Sequence, residues 1–287
     1  MRWTAGGRSD NLEDRRGARG GGGFRGGGGG GLKLGLGGTV MLLVLSLIFK
    51  RDLLTEFSGA GLPVDPAASS ARQAPLSDAR EERMVQFVSF VLDTAQASWH
   101  QLIPRYRDAR LVLFRDGVQS ACGAASAVSG PFYCPGDQRV YIDLSFFDQL
   151  ERQFAAPGDF AQAYVLAHEI GHHVQNLMGT ERAMRKAVQR NPAAGNQLSV
   201  AMELQADCYA GVWGYSAARS GIIEAGDLDE GLGAAAAVGD DRLQQLSTGR
   251  VNPESFTHGS SADRRAWFRK GFDSGDPRSC DTFGPGR

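Results

Sequence analysis

The sequence predicts an α+β protein, mainly helical with a small antiparallel sheet, preceded by one transmembrane helix. Three observations carry that prediction. Long segments after residue 80 repeat apolar residues at helical spacing, two alternating β-rich runs meet at a Pro-Gly-Asp turn, and a 16-residue uncharged apolar run lies near the start. The chain of 287 residues is long enough for two domains, but its first 80 residues are poor core material, so one globular domain with appendages is expected. A net charge of −1 gives no electrostatic case for nucleic acid as a main partner.

Residues 1–33 carry 7 Lys/Arg against 3 Asp/Glu and the run RGARGGGGFRGGGGGG, which cannot build a packed core. They read as a disordered Gly/Arg-rich cytoplasmic tail. The rival is an RGG-like RNA-binding tail, for which three arginines and one aromatic in the run are thin support. Leu34 to Phe49 (LGLGGTVMLLVLSLIF) follows. As a helix it would span about 24 Å, short of a hydrocarbon core of roughly 30 Å. Lys33, Lys50 and Arg51 can snorkel to make up the difference, so residues 34–51 are expected to be a transmembrane anchor in contact with lipid. A cleaved signal peptide would have an unusually long charged start and lacks small residues where cleavage is wanted. A buried core helix is the third reading. Arg15, Arg16, Arg19, Arg25 and Lys33 outnumber the basic residues on the far flank. That bias predicts an N-terminus in the cytoplasm and a domain outside the bacterial cytoplasmic membrane. Residues 52–79 contain the Pro/Ala/Ser-rich stretch of a linker.

The domain, residues 80–287, should open with an amphipathic helix over about Arg80–Leu102 whose Met84, Phe87, Val88, Val91, Leu92, Ala95 and Trp99 face the core. ARLVLFRDG, GPFYCP and QRVYIDL then read as strands. All four cysteines, Cys122, Cys134, Cys208 and Cys280, follow the apolar run. Four cysteines in an exported domain suggest two disulfides, and no C-x-x-C spacing points to a structural metal. Three connectivities are possible, and four reduced thiols is the plainer reading. Cys122 and Cys134 are close enough in sequence to pair locally, leaving Cys208 for Cys280, with Cys122–Cys208 as the competing bond.

AYVLAHEIGHHVQNLMG carries the chemistry. Pro157-Gly158-Asp159 breaks the chain ahead of it, with Asp159 as the expected N-cap and Gly179 as the left-handed stop. His168 and His172 stand one turn apart on one helical face, the spacing that lets two imidazoles hold one zinc ion, and Glu169 sits beside them. At this chain's own His and Glu frequencies, H-E-x-x-H would arise by chance roughly 0.003 times. Burying the three groups idly would also cost several kcal/mol. His173 lies off that face and reads as structural. A catalytic zinc needs a third protein ligand. Gln175 and Met178 stand where a metzincin would continue with Gly and His, so the ligand must come from elsewhere. A second helix over about Gln197–Arg219 offers Glu203 and Asp207 four residues apart in unusually apolar company. Glu203 suits the metal, and Asp207 suits the other ring nitrogen of a ligand histidine. In FTHGSSADRRAWFRKGFDSG, Ser260 or Ser261 should start a helix with Asp263 in its first turn. Arg265 reads as a structural partner, and His258 as either an oxyanion-stabilising group or a locally bonded loop residue.

H-E-x-x-H followed by E-x-x-x-D resembles the gluzincin arrangement. The wording of SDNLEDRRG, GPFYCPGDQRVYIDLSFF, HEIGHHVQNLMG, ELQADCYAGVW and the stretch Phe256–Phe283 resembles the bacterial neutral zinc metallopeptidases, the YpfJ-like proteins. The resemblance implies a zincin-like metallopeptidase domain on a membrane anchor, with one Zn2+ ion on His168, His172 and Glu203, Glu169 as general base, and a peptide or protein substrate. By the same resemblance an edge strand within Gln138–Leu144 would bind substrate backbone, and His258 would act in catalysis. The alternatives are a catalytically silent, membrane-tethered binding protein, against which Glu169 speaks, and an RNA-associated membrane factor.

Overall fold

A computed structural model describes residues 1–17, 79–126 and 129–284. The Gly-rich run, the apolar run within 34–51 and nearly all of the linker lie outside the described residues. Among the described residues, no helix is long and apolar enough to cross a membrane.

The elements follow the order β1 (Leu12–Asp14), α1 (Ala79–Leu102), β2 (Arg110–Phe114), β3 (Gly117–Ser120), β4 (Gly123–Ser126), β5 (Phe132–Cys134) and β6 (Arg139–Asp143). Then come α2 (Ser145–Arg152), α3 (Asp159–Met178), α4 (Thr180–Arg190), α5 (Gly195–Arg219), α6 (Asp227–Ala237), α7 (Asp240–Thr248) and α8 (Ser261–Ser274). The fold is α+β and mainly helical. Phe87, Val88, Val91, Leu92, Ala95 and Trp99 of α1 are buried as their spacing requires, while Met84 lies at the edge of the same cluster. The antiparallel pairing expected of GPFYCP and QRVYIDL is that of β5 with β6, and β3 and β4 form a separate antiparallel hairpin. The four-stranded sheet, ordered β1-β2-β6-β5, also contains two parallel pairs, β1–β2 and β2–β6. Strand β6 is therefore internal. The substrate-binding edge expected within Gln138–Leu144 is not an edge, because the parallel β2 occupies the side that a hairpin reading leaves open. The edge strands are β1 and β5.

Residues 1–17 depart most from expectation, since they belong to the fold. Leu12 to Asp14 pair with Leu111 to Leu113, Trp3 packs edge-on against Phe87, and Arg16 bridges Glu81 at 3.1 Å. The glycine run that follows dilutes this signal when composition is summed over 33 residues. The α-ammonium of Met1 meets Asp159 at 2.9 Å, Asp227 at 3.2 Å and Glu224 at 3.4 Å. Asp159 is thus an ion-pair partner in the first turn of α3 rather than its N-cap. The cap position falls to Gly158, at a φ of 111°, and Glu230 takes over part of the capping role by accepting the Phe160 N–H at 3.1 Å. At the other end Gly179 closes α3 in the left-handed region, as read from sequence.

Strand β1 precedes residues 34–51 and β2 follows them, yet the two pair in one sheet. A single crossing by that segment would put them on opposite membrane faces, so a cytoplasmic tail and an external domain cannot both hold for residues 1–17 and 79–284. Asp10→Cys and Gln189→Cys, at two exposed positions, should therefore behave alike toward a membrane-impermeant thiol reagent in intact cells. Labelling of one and protection of the other would dissolve the β1–β2 pair.

The cysteines form Cys122–Cys134 and Cys208–Cys280. The first ties the turn of the β3–β4 hairpin to β5, and the second ties α5 to the C-terminal segment. Helices α5 and α8 cross backbone to backbone, since a Cβ on Gly271 would run into the Cys208 carbonyl. At Gly171, inside the H-E-x-x-H turn, a Cβ would come within 2.9 Å of the Ala206 carbonyl oxygen. That missing Cβ lets α3 and α5 approach where their polar residues face one another.

Candidate metal centre

The close approach of α3 and α5 brings together the residues that spacing alone had put on two helices. One donor atom each from His168, His172 and Glu203 lie within 4.8 Å of one another. His168 Nε2 is 3.3 Å from Glu203 Oε2, and His172 Nε2 is 3.6 Å from Glu203 Oε1. Metal–ligand bonds of about 2.0–2.1 Å in a tetrahedron set its edges near 3.3 Å, so the donors suit a zinc ion in kind and the two His–Glu203 separations lie near such an edge. Glu169 lies in the same turn, 7% exposed, and burial raises its pKa above the ordinary carboxylate value, against the lowering charges of His172 and His168. Glu203 would also be raised by burial, but the charge of His172 and the hydrogen bond from His168 hold it well below.

Asp207 stands where the E-x-x-x-D reading puts it. Its Oδ1 accepts His168 Nδ1–H at 2.9 Å, which turns Nε2 toward Glu203. The carboxylate is fully buried and never alone. Tyr164 donates its hydroxyl at 2.5 Å, and Arg264 donates from Nε at 2.8 Å and Nη2 at 2.9 Å. Arg264, 3% exposed on α8, also reaches the Val238 carbonyl and comes to 4.0 Å from Glu203. Burial alone would lower the His168 pKa, yet the charge and hydrogen bond of Asp207, with Glu203, push it up to about 10. A metal bound here must displace that proton. Once His168 has given up that proton, Glu169, Glu203 and Asp207 against Arg264 leave two negative charges, which one divalent cation would neutralise.

His258 lies nearby, in the loop before α8. Asp240, at the start of α7, anchors that loop: its Oδ2 accepts the backbone N–H groups of Thr257, His258 and Gly259 at 2.7, 2.6 and 3.0 Å. Its Oδ1 lies 3.1 Å from His258 Nδ1. The hydrogen bond with Asp240 and the charge of Glu203 raise the His258 pKa against the effect of burial. His173 has both ring nitrogens bonded within the fold. Its Nε2–H donates to the Arg107 carbonyl at 2.6 Å, its Nδ1 accepts from Tyr133 at 3.0 Å, and burial lowers its pKa.

The sequence reading missed Tyr164, Gln175, Gln205, Asp240 and Arg264. It also chose the wrong arginine, since Arg265 is exposed and Arg264 buried. A signal existed, because Arg264 shares the i, i+3, i+4, i+7 stripe with Trp267, Phe268 and Gly271, all buried. A charge on a buried stripe requires a partner. A second triad, Asp159, Asp227 and Glu230, is close enough for a cation, but the Met1 ammonium engages Asp159 and Asp227 while Glu230 accepts the Phe160 N–H.

Two facing helices that present H-E-x-x-H and E-x-x-x-D to one point define the class of zinc-site proteins to which this arrangement is similar. The chain belongs to the family described as "Putative neutral zinc metallopeptidase", whose sequence model matches residues 1–283. Among its relatives, "Uncharacterized protein YpfJ" of Escherichia coli is 47% identical over 289 residues, covering 99% of each chain. "Uncharacterized protein Rv2575" of Mycobacterium tuberculosis is 46% identical over 202 residues, covering 67% of this chain and 68% of the relative. No solved structure matches the chain.

Proposed function

We propose that this protein is a zinc-dependent peptidase acting on peptide bonds of protein substrates, with His168, His172 and Glu203 as metal ligands. The observation that carries the reading is the convergence of those three donors beside a buried carboxylate that is not among them. When bound there, zinc would lower the pKa of a water to about 7 and polarise a scissile carbonyl. Glu169 accepts the proton given up during attack and hands it to the leaving amine. His258, its ring held by Asp240, would donate to the carbonyl oxygen as negative charge gathers there. Asp207 and Arg264 keep His168 turned toward the site. The two disulfides favour an oxidising compartment, outside the cytoplasmic membrane, for the described residues. The sequence of residues 34–51 favours contact with lipid there.

Metal analysis of the purified full chain, run beside digestion of an unfolded protein, tests this. About one zinc per chain and cleavage abolished by a chelator are expected. A folded chain that takes up no zinc, or a zinc-loaded one that cleaves nothing, would reject the reading.

A further inference from the structure

The two imidazoles of the site are oriented by unlike means. His168 leans on a carboxylate, which only accepts, so its Nδ1 carries a proton. His172 leans on a carboxamide, with Nδ1 2.8 Å from Gln175 Oε1. A carboxamide can turn either end toward a ring, so it dictates a tautomer only if something fixes the amide itself.

Two backbone carbonyls do so. Gln175 Nε2 lies 2.7 Å from the Met202 carbonyl oxygen and 3.2 Å from Gln205 Oε1. A carbonyl only accepts, so the NH2 end of Gln175 faces Met202 and its oxygen faces His172. Gln205 is fixed in the same manner, because its Nε2 donates to the Cys280 carbonyl at 2.9 Å and leaves Oε1 for Gln175. Gln175 is fully buried and Gln205 is 6% exposed. The whole series of bonds therefore has one polarity. It ends on a proton at His172 Nδ1 and leaves Nε2 bare, on the side of Glu203.

The far end of the series belongs to another part of the chain. Cys280 lies beyond α8 and is held against α5 by its bond to Cys208, with Thr282 Oγ1 donating to the Ala201 carbonyl at 2.6 Å. We propose that Gln175 and Gln205 are positioning residues that keep the Nε2 lone pair of His172 toward the metal site. Through the Cys280 carbonyl, this hold depends on the Cys208–Cys280 disulfide. The proposal rests on His172 being a metal ligand.

The test uses the full chain, zinc affinity by chelator competition, and the 15N shifts of His172 in metal-free protein at alkaline pH. The metal-free ring should show the Nδ1–H tautomer. Gln175→Leu should weaken zinc binding about 10–100-fold, the range for groups that orient a ligand histidine. Gln205→Met should weaken it less, since Gln175 keeps its bond to Met202. Replacing both Cys208 and Cys280 by Ala should weaken zinc binding in the otherwise natural chain and add little once Gln205 is Met. The Nε2–H tautomer in the metal-free chain would overturn the proposal, as would wild-type zinc affinity in Gln205→Met and Gln175→Leu. An equal effect of the cysteine changes in both backgrounds would overturn the link to the disulfide. Should Gln175→Leu fail to fold, the tautomer and the Gln205→Met cycle still decide. A natural chain that shows the expected tautomer but binds no zinc would instead sink the metal-site reading, and this proposal with it.

Discussion

Glu169→Gln should leave zinc near one per chain while proteolysis falls by about 10² or more. The substitution keeps the volume and the hydrogen-bonding reach of the side chain but removes the group that can take a proton. Metal content should hold because the donor set is His168, His172 and Glu203, with Glu169 one position round the helix. Burial already makes the Glu169 carboxylate more basic than an exposed one, which is what an acceptor of the water proton requires. Turnover of an unfolded protein by the variant, measured with metal content, gives the answer. A wild-type rate would take Glu169 out of the mechanism, and a variant without zinc would make the donor set wrong.

Arg264→Met should be the most damaging single change to stability among the site residues, at about 3–5 kcal/mol, because it leaves a buried carboxylate with the His168 ring as its remaining charged partner. Asp207 is 0% exposed, and Arg264 is the cation whose two nitrogens grip both of its oxygens. Against a total stability of about 5–15 kcal/mol, such a loss brings the domain close to unfolding. Urea unfolding of the metal-free chain measures it, and a change below about 1 kcal/mol would be too small for a broken buried pair. The pH dependence carries a sign. Burial would raise the Asp207 pKa, but Arg264 first, then His168, hold it below its ordinary value of 3.8. Its contribution is therefore present above 3.8 and lost as pH falls through the lower folded value. Arg264→Met should shift acid unfolding to higher pH. Arg264→Lys keeps the charge without the fork and should fall between.

What could be read from the sequence divides along a physical line. His168, Glu169, His172, Glu203 and Asp207 announce themselves because helical spacing converts sequence distance into a shared face, and the apolar neighbours forbid idle charges. Helices α1, α3 and α5 are legible by the same rule. Parallel pairing has no such local mark, so the place of β6 inside the sheet could not be read from its own residues. Arg264 and Gln205 act across helices, and their role depends on which face meets which. Residues 1–17 were misjudged for another reason. Their partners, Phe87, Glu81 and Leu111 among them, lie beyond a stretch whose composition dominates any average.

Strand β1 also sets an order of events in time. Leu12 is made well before its partner Leu111, which emerges only after the Gly-rich, apolar and linker stretches and all of α1. Closing so long a loop costs entropy that no local contact returns, and parallel pairing across it is slow for the same reason. Strand β1 is thus made before β2 but can take its place only after β2 has emerged, and until then β2 presents an unpaired edge. Whatever delays or diverts residues 1–17 lengthens the interval in which that edge can meet another chain.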